Sequence, residues 1–207
     1  KFSKEIAYLD KFCWKIEQKY GFTMSELEYG PGIAVPYFKD QEDTLEADIK
    51  VIKTAISGMK WKGKVMLEMG RAFVASCGYY LTSVKDIKQN NGRNYCIVDG
   101  GIHQIQYDGQ IRGMYTPEVQ IIGEQEETKE WTVCGSLCTT NDILIQNMEA
   151  GDLKTGDVLA FKKAGAYAAM EGMALFLSHE LPAVTFFSKA DGWELIREKQ
   201  ETYQWNM

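Results

Sequence analysis

Apolar residues recur at helical spacing in two stretches near the start of the chain. Ile6, Leu9, Phe12, Cys13 and Ile16 share one face of residues 4–20, with lysines and glutamates on the other. That pattern predicts an amphipathic helix, and Gly21 is a suitable stop. Leu45, Ile49, Ile52 and Ile56 predict a second helix over 44–57, preceded by Asp40, Glu42 and Asp43 and ended by Gly58. Short strands are expected at 26–29, running into Gly30-Pro31-Gly32, and at 64–68, ending on Glu68. Strand, helix, strand implies a parallel pair with helices packed outside.

From Arg71 onward the pattern changes to short alternating stretches. Phe73, Val74, Ala75, Tyr79, Tyr80, Leu81 and Val84 predict one long strand over 71–87, with a bulge at Cys77-Gly78. Asn90-Asn91-Gly92 signals a turn. Further strands are expected at 95–98, 119–122, 131–133, 157–161 and 184–187, and the acidic stretch 123–130 reads as a solvated hairpin tip. Met170, Met173, Ala174 and Leu177 give helical spacing over 167–177, and 193–205 reads as a closing strand and a polar tail.

Composition narrows the classes. The chain has 207 residues, room for one large or two small domains. A net charge of -6 argues against a broad basic face for nucleic acid. No apolar run reaches the roughly 20 residues of a membrane span. The start, Lys1-Phe2-Ser3-Lys4-Glu5, has neither an apolar signal region nor a Met, which reads as a piece of something longer. The 5 cysteines are odd in number and form no framework, which suggests a reducing cytoplasm and mostly buried thiols. Cys134 and Cys138 have no histidine at ligand spacing, so no metal is expected.

Several residues can carry chemistry, and each has a plain structural alternative. Gly30 and Gly32 let backbone N–H groups approach an anion, although Pro31 removes one donor and such a loop is ordinarily just a turn. Glu68, followed by Met69-Gly70-Arg71, stands at a strand's C-terminal end, where α/β barrels keep their ligands; a structural ion pair with Arg71 is the alternative. Asp99, before Gly100-Gly101, can cap a turn. Cys138 sits in a polar loop where a thiol can exchange protons, or is a half-buried small residue. Tyr167 is a packing ring or one beside a cofactor. His103 and His179 read as packing or surface residues.

The order of these motifs says more than any one of them. Gly30-Pro31-Gly32-Ile33, Glu68-Met69-Gly70-Arg71, Val98-Asp99-Gly100-Gly101, Gly135-Ser136-Leu137-Cys138-Thr139, Gly156-Asp157 and Ala164-Gly165-Ala166-Tyr167 follow one another. In that order they resemble the C-terminal part of the pyridoxal-phosphate decarboxylases of the diaminopimelate/ornithine decarboxylase family, the alanine-racemase-like fold type. The resemblance covers residues 26–203, most of the chain.

It implies an α+β fold. The last strand-helix units of an incomplete (β/α)8 barrel, residues 1–67, would precede a C-terminal β-barrel or β-sandwich domain, residues 68–207. A whole barrel needs about 250 residues. The Schiff-base lysine of the family has no counterpart here, so this chain should be inactive alone. By resemblance, Gly30 and Gly32 bind the phosphate of pyridoxal 5'-phosphate, and Glu68 pairs with its ring nitrogen. Gly70 and Arg71 bind that phosphate or a substrate carboxylate. Cys138 returns a proton to the α-carbon, and Tyr167 reaches the cofactor. The last two act across a homodimer with shared sites. Asp99 matches a residue that binds a distal substrate amine.

Three departures from the family pattern bear on the substrate. Met69 replaces a proline and Thr139 replaces a glutamate. The family's Arg-x-x-x-Tyr clamp falls on Tyr107 and Ile111, with Arg112 and Tyr115 as nearby substitutes. The resemblance implies a bacterial, cytoplasmic decarboxylase of meso-diaminopimelate giving L-lysine. Ornithine, lysine or a carboxylated polyamine is the alternative substrate, and a non-catalytic relative the alternative class.

Overall fold

The computed structural model describes residues 1–123 and 128–207. The acidic core of the expected hairpin tip, 124–127, lies outside the described residues. Contacts divide the chain into two units, Lys1–Pro36 with Gln41–Val74, and Tyr37–Asp40 with Ala75–Met207.

The first unit contains α1 (Phe2–Tyr20), β1 (Glu26–Tyr29), α2 (Leu45–Ser57), β2 (Lys64–Leu67) and the single-turn α3 (Gly70–Val74). β1 and β2 pair in parallel, Glu26 opposite Lys64 and Tyr29 opposite Leu67, with α2 in the crossover. Phe2, Ile6 and Cys13 of α1 pack with Ile52 of α2 and with Tyr29, Ile33, Met59 and Trp61. Ile6, Cys13 and Ile52 come from the stripes that the helical spacing marked out, whereas Phe12 and Ile49 of those stripes are 44% and 41% exposed. Gly21, at φ 67°, returns its N–H to the Glu17 carbonyl and ends α1. Asp43, rather than Thr44, accepts the Leu45 N–H at the start of α2.

Two acids of α1 hold the approach to β2. Asp10 accepts the N–H groups of Lys60 and Trp61 at 3.0 and 2.8 Å, and Glu17 accepts the Trp61 indole N–H at 3.1 Å. Burial pushes the Asp10 carboxyl up, but the Trp61 and Lys60 N–H groups outweigh it and hold it below the usual range. A lowered carboxyl stabilises the fold above its unfolded pKa, and that contribution is lost as pH falls through the folded value. Asp10→Ala should therefore lower stability at neutral pH by about 1 kcal/mol, the low end because water screens a partly exposed group. Urea unfolding in neutral and in acid buffer should show the difference from wild type shrinking in acid.

The second unit contains β3 (Tyr80–Asn90), β4 (Arg93–Val98), β5 (Val119–Ile122), β6 (Lys129–Cys134), β7 (Ile143–Ala150), β8 (Val158–Phe161), β9 (Val184–Ser188) and β10 (Gly192–Arg197). Six strands form one sheet in the order β5-β8-β3-β4-β6-β7. The β4–β6 pair is parallel and the others antiparallel. The core gathers Val84, Val98, Val133, Ile145, Leu159 and Phe161, none more than 1% exposed. The β3–β4 turn places Asn91 and Gly92 at φ 48° and 76°, the left-handed pair that a tight hairpin requires. β9 and β10 form a separate hairpin whose Phe187 and Trp193 rings pack at a tilt, centroids 4.9 Å apart. This is an α+β fold, as the motif order implied.

Two expected elements differ. The long strand over 71–87 is not one element: Gly70–Val74 is helical, Ala75–Cys77 is a 3-10 turn, and β3 starts at Tyr80. There is no bulge at Gly78. Instead the Gly78 carbonyl accepts the Ala164 N–H, and the Ala75 carbonyl accepts that of Gly165. These ties draw the segment away from strand pairing. The helix over 167–177 is two 3-10 turns, Tyr167–Ala169 and Phe176–Ser178. Gly172 between them lies so close to the Ile102 carbonyl that a Cβ would meet it at 2.7 Å, which ends helical winding there. The closing strand expected at the start of 193–205 is β10, and the tail after it contains a 3-10 turn, Tyr203–Trp205. β7 was not anticipated, although Met148 and Ala150 alternate with Asn147 and Glu149, a usable period of two.

Candidate functional site

In the first unit the parallel pairing brings two loop entries side by side. The ladder continues one residue past β1 and β2, with the Glu68 N–H donating to the Tyr29 carbonyl at 3.0 Å. Glu68 is thereby set beside Gly30, where a Cβ would lie 3.8 Å from Glu68 Oε2. Gly32, at φ 60°, turns the chain back. α1 runs antiparallel to β1, so its first residues lie at the same end. Tyr29 Oη donates to Glu5 at 2.6 Å, and Lys1 Nζ donates to the Pro31 carbonyl at 3.3 Å. Burial, reinforced by Glu5, pushes the Tyr29 phenol up, so it stays a donor. A concave opening of about 600 Å³ is lined by Lys1, Lys4, Tyr8, Gly30 and Gly32. Gly70 begins α3, and Arg71 is its second residue.

These residues fit pyridoxal phosphate. A carboxylate acceptor adjoins a loop without side chains at Gly30 and Gly32, and an ammonium stands at that loop. Lys1 was not anticipated as part of this group. It is 30 positions from Pro31, and nothing local links the two.

In the second unit Cys138 projects from the loop between β6 and β7, and its side chain is exposed. The Thr139 N–H turns back to the Leu137 carbonyl at 2.8 Å, and Thr139 Oγ1 accepts the Asn141 N–H at 3.3 Å. Arg112, at φ 48°, donates to the Thr140 carbonyl at 3.4 Å. Arg112 and the Cys138 loop are thus brought together. Tyr115 packs on Phe38 at 5.2 Å and is clasped by Gln110, which donates to its carbonyl and accepts its N–H.

Asp99 is committed to its own sheet. It accepts from Thr82 Oγ1 at 2.7 Å and the Ser83 N–H at 2.9 Å, and pairs with Lys85 at 3.3 Å. Burial raises its pKa, but these donors outweigh that and hold it below the usual carboxylate range. Tyr167 opens a 3-10 turn and is 51% exposed. Its turn is anchored by the Gln106 N–H on the Ala168 carbonyl and by the Gly78 backbone under Ala164-Gly165.

The other thiols and the histidines are placed differently. Cys96 is buried, and burial, then Cys134, pushes its thiol up to about 12. Cys77 and Cys138 are both exposed, so the expectation of mostly buried thiols holds only in part. His103 is 2% exposed and packs at a tilt against His179, ring centroids 4.9 Å apart; burial, then His179, lowers it to about 4, so it is a neutral packing residue. Among the described residues no cluster of His, Cys, Asp and Glu could hold a metal, and no helix is long and apolar enough to cross a membrane.

The chain resembles known proteins over nearly its whole length. The family model described as pyridoxal-dependent decarboxylase, C-terminal sheet domain, matches residues 13–165. A diaminopimelate decarboxylase of Methanocaldococcus jannaschii is 30% identical over 214 residues, 98% of this chain and 46% of that protein. A 2-[(L-alanin-3-ylcarbamoyl)methyl]-2-hydroxybutanedioate decarboxylase of Staphylococcus aureus is 30% identical over 187 residues, 83% of this chain and 46% of that protein. The crystal structure of the M. jannaschii diaminopimelate decarboxylase with L-lysine superposes with a TM-score of 0.81 at 25% identity, covering 96% of this chain and 45% of that one. The Helicobacter pylori diaminopimelate decarboxylase complexed with L-lysine, at 22% identity and a TM-score of 0.80 over 98% of this chain and 49% of that one, shares the fold. This chain spans about half the length of the relatives it matches. With the family model covering most of its residues, the chain belongs to the pyridoxal-dependent decarboxylases and carries their C-terminal sheet domain.

Proposed function

We propose that the polypeptide carrying this chain is a pyridoxal-phosphate-dependent amino-acid decarboxylase that releases carbon dioxide from meso-diaminopimelate and yields L-lysine. In this reading residues 1–67 are the end of a cofactor-binding barrel and 68–207 the β-domain. The enzyme is a homodimer of the bacterial cytoplasm with sites shared between subunits. The observation that carries the reading is Glu68 beside Gly30, a carboxylate adjoining a side-chain-free loop, within a chain whose motifs keep the family order.

Pyridoxal phosphate, when bound, supplies the sink for the electrons that carbon dioxide leaves behind. The protein's part is to hold and to move protons. Glu68 accepts the ring N–H and keeps that nitrogen protonated. Gly30 and Gly32 bring backbone close to the phosphate, and Lys1, Gly70 and Arg71 add charge and donors there. Cys138 holds the proton that the α-carbon takes up, and Tyr167 lies against the cofactor, both in the partner's site. Arg112 and Tyr115 take the substrate's far end, while Asp99, held by Thr82, Ser83 and Lys85, is left out of this assignment.

One observation favours a different substrate. Thr139 stands where the family has a glutamate, and Arg112 donates to the adjoining Thr140 carbonyl. A charged group at the substrate's far end would meet a hydroxyl in place of a carboxylate. The relative from S. aureus acts on an amide-linked hydroxytricarboxylate by its name. Carbon dioxide release by the full-length polypeptide with pyridoxal phosphate decides between them. Release from meso-diaminopimelate, and none from ornithine, is the expected result. Release from ornithine or another amino acid alone assigns the second substrate. No binding of pyridoxal phosphate overturns both.

A further inference from the structure

Asp142 is a carboxylate shut inside the sheet domain, 3% exposed. Its two oxygens serve two different loops: Oδ1 accepts the Ile102 N–H at 2.9 Å, and Oδ2 accepts the Leu137 N–H at 2.8 Å. Its backbone carbonyl takes the Gly135 N–H at 2.9 Å, and the Ser136 N–H crosses to the Gly100 carbonyl at 2.8 Å. Two glycines leave room for the carboxylate. A Cβ at Gly101 would lie 2.5 Å from Oδ2, and one at Gly135 2.2 Å from it. Gly101 and Gly135 thus share a physical reason, since at both loops backbone has to close on the same acid.

One of those loops continues directly from Leu137 into Cys138. Charge-assisted bonds from backbone N–H groups are stronger than neutral ones, and a dry surrounding strengthens them further. Burial raises the Asp142 carboxyl above its ordinary value, while the Ile102 and Leu137 N–H groups and His179 pull it back, so the pair of N–H bonds favours its charged form. At Leu137 the Asp142 bond acts together with the residue's own burial and the Thr139 N–H on its carbonyl.

We propose that Asp142 is the positioning residue for Cys138: it ties the 135–141 loop to the 100–102 turn, so that the thiol is presented at one fixed place. The functional half of this proposal rests on the reading of Cys138 as proton donor. Asp142→Asn keeps the shape but offers one carbonyl oxygen to two N–H donors and points its NH₂ at the other, so one loop must let go.

The test uses the full-length polypeptide loaded with pyridoxal phosphate. Alkylation of Cys138 by iodoacetamide, followed by peptide mass spectrometry, should speed up about fivefold or more in D142N, while exposed Cys77 in the same molecules keeps its rate. Turnover should fall about tenfold with KM within about threefold, and D142N/C138A should be no slower than C138A, because the two residues act through one thiol. Unchanged Cys138 alkylation, or losses that multiply in the double variant, overturns the proposal. If C138A turns over like the parent, the proton-donor reading fails instead, and the alkylation rate alone then decides the positioning claim. Should D142N not accumulate, D142S, smaller and uncharged, is read by the same two measurements.

Discussion

Gly78→Ala should destabilise the chain by about 3 kcal/mol or more, at the severe end of overpacking. A Cβ at this position would stand 2.1 Å from the Gly165 nitrogen and 2.2 Å from its Cα. Both are backbone atoms, so no side chain can swing aside. The Ala164 N–H also donates to the Gly78 carbonyl at 2.9 Å, so separating the two segments breaks a hydrogen bond as well. The displaced segment leads directly into Tyr167. The same substitution should therefore move that ring, and its fluorescence or its NMR signals should shift in whatever fraction remains folded. A midpoint in urea unchanged from wild type would show that the two backbones are not in contact.

Glu68→Gln should lower carbon dioxide release by the full-length polypeptide about 10²-fold, the size of loss seen when one preorganised electrostatic partner is removed. Glutamine keeps the length and the packing beside Gly30 but carries no charge to hold a proton on a ring nitrogen. Glu68→Asp keeps the charge on a shorter stem and should retain more activity than the glutamine variant. Bound pyridoxal phosphate should still be visible by its absorbance in both. If E68Q turns over within about threefold of the parent, the ring-nitrogen role is wrong and Glu68 is a structural acid.

The sequence was most informative where structure is local. The stripe Ile6, Leu9 and Cys13 needs only the helical repeat to be recognised, and α1 follows from it. β1 and β5 fall at the expected residues because short stretches that mix polar and apolar residues, ELEY and VQII, are bounded there by turn signals. Asn91-Gly92 names its own turn, since few residues accept a positive φ. The segment 71–77 misled because Phe73, Val74 and Ala75 suit a strand as well as a helix. The choice is made by the Ala164 and Gly165 N–H groups, which lie far along the chain.

The candidate site divides in the same way. Motif order alone pointed to Gly30, Glu68, Arg71, Cys138 and Tyr167, because each motif keeps its place relative to the others. Lys1 and Asp142 escaped notice. A lysine at a helix start and an acid after a polar loop look like ordinary surface residues. Only folding puts Lys1 Nζ on the Pro31 carbonyl and closes two loops on the Asp142 carboxylate.

By itself, then, the sequence determined the family, the parallel strand-helix-strand start and the sheet-rich remainder, because periodicity and motif order survive without any knowledge of contacts. The tertiary structure decided which residues hold those motifs in place. Hydrogen bonds and close backbone approaches join positions tens of residues apart, and no local pattern of side chains records such a meeting.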